Sequence, residues 1–186
     1  MTITKNCKER RSASKHNLKL ALALATSLLA GTAAAEEQGP RYTMTVISNQ
    51  SYSGKVLKGD YESAIDRITA SRVGKRKRFA SLTNLCVAYT KVGELELAEE
   101  TCNAAVVFVE ERQSGRPRTV YSPGDIEAAD RADLAVALSN RGVCRAARGE
   151  TELAHADFEA SLELGADLSA PEINLARLDS ATRKLY

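Results

Sequence analysis

Tryptophan is absent from this sequence, phenylalanine occurs only three times, and there are two histidines. One of these, His16, falls within the first 35 residues, which leaves His155 as the single histidine of the remainder. Metal triads built on imidazole and histidine-activated nucleophiles therefore have no second histidine to draw on. A glycine-rich phosphate loop and a nucleophile elbow are missing too. The acidic pairs Glu99-Glu100 and Glu110-Glu111 are adjacent residues on helical stretches, which suits solvated faces better than a paired acid and base. These absences predict a protein that is not an enzyme and that carries no metal or cofactor. Aromatic residues at 5%, beside abundant Ala and Leu, favour closely packed helices over a sheet.

A hydrophobic run long enough to span a bilayer is also lacking. The most apolar stretch, residues 20–30 (LALALATSLLA), has 11 residues, against the roughly 20 that a spanning helix needs. It follows a basic stretch with Lys5, Lys8, Arg10, Arg11, Lys15 and Lys19, and it precedes Ala33-Ala34-Ala35 and the acidic Glu36-Glu37. A basic region, a short apolar core and a small-residue cleavage site describe an export signal over residues 1–35, with the mature chain starting at Glu36. No cysteine follows the apolar core within a few residues, so a lipid anchor is not expected, nor any stable membrane anchor after cleavage. A periplasmic or secreted location is implied.

The export stretch holds six of the 26 basic residues and one of the 24 acidic ones, leaving 20 and 23, a net charge near −3. A basic surface for nucleic acid loses its support, and no nucleic-acid partner is expected. Cys7 also leaves with the signal, so Cys86, Cys102 and Cys144 remain. An odd number in an oxidising compartment allows one intrachain bridge and a leftover thiol.

What is present is helical periodicity. Residues 36–45 carry Pro40 and no helical period, and read as a lead-in. Residues 46–57 are either a short first helix or, over 42–47, an extended segment by alternation. Helices are expected over 61–71, 79–92, 95–113, then one long helix to Arg148, another over 151–164, and a last one from Pro171 to near Lys184. The basic cluster at 74–78 reads as a solvated connector. Residues 114–124 hold two prolines and two glycines and cannot be regular helix. Ser122-Pro123-Gly124-Asp125 and Ser169-Ala170-Pro171-Glu172 both look like helix starts.

The turn glycines reveal a repeat. The step from Gly59 to Gly93 sets a period of about 34 residues, and the longer step from Gly93 to Gly149 is that period plus an insertion at 113–134. Five residues after each comes Ala64, Ala98 or Ala154, then Ile68, Cys102 or Phe158, then Ser71, Ala105 or Ser161. Ahead of the turns, Asn84-Leu85-Cys86 matches Asn140-Arg141-Gly142, and Asn174-Leu175-Ala176 follows one period later. A helix–turn–helix unit of this period with Leu85, Cys86, Tyr89, Gly93, Ala98 and Ala105, and again Gly142, Gly149, Ala154, Phe158 and Ser161, resembles the tetratricopeptide repeat. Arg145 stands where the preceding unit has Tyr89, and no proline closes any unit.

That resemblance implies an all-α fold over residues 46–186. It is a right-handed solenoid of about three antiparallel hairpins, at 45–78, 79–112 and 135–168, with the insertion at 113–134 and a capping helix at 170–184. It also implies a concave groove lined by Gln50, Asn84, Val87, Lys91, Asn140, Val143, Asn174 and Arg177. Gln50, Asn84, Asn140 and Asn174 share one phase, and an amide there can pair with a peptide backbone whatever its side chains. The competing role for these amides is to satisfy nearby loops or helices. Cys86 and Cys102 lie on the two helices of one hairpin and are candidates for a disulfide. They are a diagonal pair, which strains the Cα separation a bridge requires. Cys102–Cys144 pairing and three buried thiols are the alternatives. The function expected is an interaction module that binds a peptide segment or partner protein in its groove. The alternative is a structural or assembly subunit of an envelope complex that self-associates; the oligomeric state is left open.

Overall fold

The computed structural model describes residues 41–48, 50, 52–71, 74, 77–115 and 123–183. The expected export signal over residues 1–35, Lys75 and Arg76 of the basic cluster, Ser122 and Lys184 lie outside the described residues. Among those described, the chain is all-α, with helices α1 (Ser53–Leu57), α2 (Tyr61–Thr69), α3 (Arg78–Val92), α4 (Leu95–Ser114), α5 (Pro123–Ala147), α6 (Thr151–Glu163) and α7 (Ser169–Arg183). None is long and apolar enough to cross a membrane.

One turn is used three times. Gly59, Gly93 and Gly149 have φ of 79°, 84° and 79°, a left-handed conformation that side chains rarely adopt. Placed just past a helix end, each lets the next backbone N–H reach back to a carbonyl of the last turn. Asp60 donates to Lys55, Glu94 to Tyr89 and Glu150 to Arg145, at 2.9, 3.0 and 2.9 Å. The same three acidic residues then open the following helix, their carbonyls accepting from Ala64, Ala98 and Ala154. Those alanines are fully buried. A Cβ and nothing larger lets the two helices of each hairpin approach closely.

Each helix packs on the next in sequence, from α1 on α2 through to α6 on α7. In addition α1 touches α3, α3 touches α5 and α5 touches α7, so the leading helices form a continuous layer. The insertion lengthens both of its flanking helices: α4 runs 20 residues to Ser114 and α5 runs 25 from Pro123. Their contact is held by Arg112, which bridges Asp130 and Asp133 at 2.8 and 2.7 Å and lies over the rings of Phe79 and Phe108.

The leading helix of the first hairpin is much shorter than the 46–57 reading. Only residues from Ser53 to Leu57 are helical, and residues 41–48 carry no helix. Val46 and Ile47 instead join the alternating stretch that begins at Tyr42, so the boundary drawn at residue 46 cuts through a single structural segment.

Candidate functional site

Asn84 on α3, Asn140 on α5 and Asn174 on α7 are each fully buried, and each side chain pairs with the backbone of one residue in the 41–48 segment. The Thr43 N–H donates to Asn174 Oδ1 at 2.8 Å, and Asn174 Nδ2 donates to the Thr43 carbonyl at 2.7 Å. Thr45 and Asn140 repeat the pairing at 2.8 and 2.8 Å. Ile47 and Asn84 repeat it at 2.9 and 3.0 Å. An amide matches a peptide unit because it offers an acceptor and a donor from one plane. Three amides on three successive leading helices thus act as the partner strand to an extended chain. The chain runs from α7 toward α3, opposite to the order of the helices.

Pairing at every second residue sends the intervening side chains the same way, since side chains alternate along an extended chain. Tyr42, Met44 and Val46 are those residues, and each meets apolar side chains of the helices. Tyr42 packs with Val143, Phe158 and Leu178, its ring 6.4 Å from that of Phe158. Burial pushes its phenol above the ordinary value, so it stays neutral. Met44 packs against the cluster of Cys86, Ala98, Cys102 and Cys144 and also against the clusters that take Tyr42 and Val46. Val46 packs with Val56, Ala64 and Val87. At the α7 end, the Arg177 guanidinium donates to the Arg41 carbonyl and, at 3.1 Å, to the Thr43 hydroxyl. At the other end, Ser53 Oγ donates to the Ile47 carbonyl at 2.7 Å, where the chain turns into α1.

Hydrogen bonds alone do not hold the segment. Fixing the backbone of one residue costs on the order of 1–2 kcal/mol, and a hydrogen bond contributes on the order of 0.5–1.5 kcal/mol net. The six amide pairings therefore offset only part of the cost of ordering residues 41–47, and burial of the apolar side chains must supply the rest.

Of the residues expected to line a groove, Asn84, Asn140, Asn174, Val87, Val143 and Arg177 come together on this segment. Lys91 stands exposed in the last turn of α3 and makes none of these hydrogen bonds. Gln50 is not on a leading helix. Its backbone caps the start of α1, with its N–H donating to Ser53 Oγ and its carbonyl accepting from the Ser53 N–H. The amide phase breaks there because α1 begins only at Ser53.

Cys86 and Cys102 form a disulfide with Cα atoms 4.8 Å apart, well inside the range a bridge tolerates. The strain expected from their diagonal offset is not seen in that separation. Cys144 is a buried free thiol in the same cluster, and burial raises its pKa.

Sequence reasoning missed two features. The three asparagines hold the chain's own residues 43, 45 and 47, and the signal for that was the alternation of Tyr42, Met44 and Val46 with two threonines. A buried charge cluster was missed as well. Asp157, 3% exposed, accepts from Arg141 Nε and Nη2 at 2.9 and 2.7 Å and pairs with Arg145 at 2.8 Å. Arg141 and Arg145 one turn apart on α5 were its only trace. Among the described residues, no group of three His, Cys, Asp or Glu is placed to hold a metal ion. Comparison of the chain with protein-family models, with curated proteins and with solved structures finds no match.

Proposed function

We propose that this chain is an exported, non-enzymatic interaction module, a right-handed solenoid of about three tetratricopeptide-like hairpins with α7 as its cap, whose groove takes an extended segment of a partner protein. One observation carries the reading: three buried asparagines, one on each of α3, α5 and α7, grip a single extended chain through its backbone. The amides satisfy the backbone of the chain's own residues 43, 45 and 47, and their two-residue steps are the spacing that any extended backbone would need. The export-like first 35 residues and the disulfide fit an oxidising compartment outside the cytoplasm.

The experiment is site-specific photo-crosslinking in the native cells. Crosslinkers at Lys91 and Arg177, the exposed residues of the expected groove, are compared with crosslinkers at Leu97 and Leu153, which are exposed on α4 and α6. The groove positions are expected to capture a partner segment and the outer positions not to. Capture at Leu97 and Leu153 alone would show that the partner uses the opposite face. Replacing Asn84 and Asn140 is a poorer test, because both hold the chain's own segment and their loss lowers stability as well.

A further inference from the structure

The segment in the groove displays the chemistry of what the groove accepts. Resting on the reading above, we infer that the partner is an extended segment with apolar side chains at three alternate residues, running from α7 toward α3, and that residues 41–47 occupy the site until such a segment displaces them.

The amides select for extended backbone and nothing more. Selection of side chains falls to the apolar places where Tyr42, Met44 and Val46 sit: Tyr42 on the cluster of Val143, Phe158 and Leu178, Val46 on that of Val56, Ala64 and Val87, and Met44 between them, against both and against the disulfide cluster. They differ in shape. A ring meets the Phe158 ring, an unbranched thioether lies against the disulfide cluster and its two neighbours, and a β-branched side chain meets Val56, Ala64 and Val87. Thr43 is exposed and Thr45 only partly covered, so the intervening positions accept most residues. A shift of one residue would place two threonines and either Ile47 or Arg41 over these clusters, so at least two of the three apolar contacts would be lost, which favours the observed register.

The resident segment is built to be exchanged. None of residues 41–48 is fully buried, and within the described residues the segment joins the helices only through residues 48–52. It can leave without any helix moving through it. Its advantage is the tether, which gives it an effective concentration in the millimolar range. A second copy of this chain offers the same segment with the same contacts and no tether, so at micromolar concentrations it loses to the resident one. A partner wins by filling the three apolar places better. That physical asymmetry favours a foreign segment over a second copy.

The test uses the full mature chain carrying Thr45→Pro, which removes the N–H that Asn140 accepts from and frees the groove. The probe is a fluorescent synthetic peptide of residues 41–48, read by anisotropy. It should bind Thr45→Pro at least about tenfold more tightly than the unaltered chain, where the tethered segment competes. In the peptide, Thr43→Ala with Thr45→Ala should leave affinity within about threefold, while Tyr42→Ser, Met44→Ser and Val46→Ser together should weaken it by more than about tenfold. N-methylation at 43, 45 and 47 should abolish binding. Binding that responds to N-methylation but ignores the three serines would overturn the ligand class and leave the groove function standing. Absence of any binding, in a variant with native helix content and cooperative melting, would overturn both. If Thr45→Pro fails to fold, Met44→Asp releases the segment by charge and takes its place. Concentration-dependent dimers of the unaltered chain, with residue 44 crosslinked to the α5 of another copy, would overturn the foreign segment in favour of a second copy.

Discussion

The hairpins α3–α4 and α5–α6 place different chemistry at the same two positions of the repeat. In the first, Cys86 and Cys102 face each other and are covalently joined. In the second, Gly142 and Phe158 take those places, and a Cβ built on Gly142 would come within 2.6 Å of the Phe158 ring. The surroundings match as well: Ala98 and Cys144 flank the disulfide as Ala154 and Leu178 flank the phenylalanine. One helix crossing is thus held by a bond that depends on an oxidising environment, and its equivalent by a ring pressed on bare backbone. The comparison teaches that the repeat dictates how closely two helices approach and leaves open how the space between them is filled.

Removing the ring should have the largest effect. Phe158 is fully buried, and Phe158→Ala leaves a cavity facing Gly142 that the rigid backbone cannot close. A loss of about 3–5 kcal/mol is expected by urea unfolding. A loss below about 1 kcal/mol would mean that the crossing tolerates an empty centre and that the equivalence with the disulfide is accidental.

The disulfide comes next. It closes a loop with a sequence separation of 16 residues, and by the chain-entropy account its removal in Cys86→Ala/Cys102→Ala costs about 3 kcal/mol. The sharper variant is Cys86→Gly/Cys102→Phe, which moves the other hairpin's solution into this one. Cys144 is smaller than Leu178, its counterpart one period on, so the added ring has room. The grafted variant should melt above the double alanine and below the bridged chain. A graft less stable than the double alanine would show that the two crossings differ in backbone geometry, and the parallel would fail.

A smaller difference separates the two hairpins in their charge. Arg141, Arg145 and Asp157 stand where α3–α4 has Leu85, Tyr89 and Thr101. Asp157→Asn keeps the shape and removes the charge that two guanidiniums share, with an expected loss of about 2 kcal/mol, since the arginines retain some access to water. Raising the salt concentration should weaken the unaltered chain more than the variant. Equal salt dependence would mean that the cluster contributes shape and not charge.

The turn glycines announced themselves in the sequence because a left-handed backbone leaves few alternatives to glycine, and the period followed from their spacing. The row of asparagines was legible for the same reason, as one residue type at one phase. What they hold was not, because Asn84, Asn140 and Asn174 pair with residues 37, 95 and 131 positions away, and nothing local to 42–47 decides between strand and helix. Arg145 was visible as a departure from Tyr89, but its reason, Asp157, lies on the facing helix. Gln50 misled because its amide sits at the right spacing on a stretch that is not yet helical.

The smallest expected effect tests the first hairpin against the third. Lys55 occupies the phase of Arg145, yet its partner is Asp60 in the turn, at 2.8 Å and in the open. The hydrogen bond from Lys55, followed by that from the Ser63 hydroxyl, holds the Asp60 carboxyl below its ordinary value of 3.8. A carboxyl lowered in the folded state favours folding above its unfolded pKa, and that contribution disappears as pH falls through the lower folded value. The loss is therefore confined to the acid side of about pH 4, far from neutral pH. Carbon-detected NMR titration of Asp60 should give a midpoint under 3.8, moving upward in Lys55→Ala. The same substitution should leave the melting temperature at pH 7 unchanged, because an exposed pair in water is screened. A clear drop in melting temperature would mean that this turn pair does for α1–α2 what the buried Asp157 cluster does for α5–α6, and the two hairpins would then differ less than their exposure suggests.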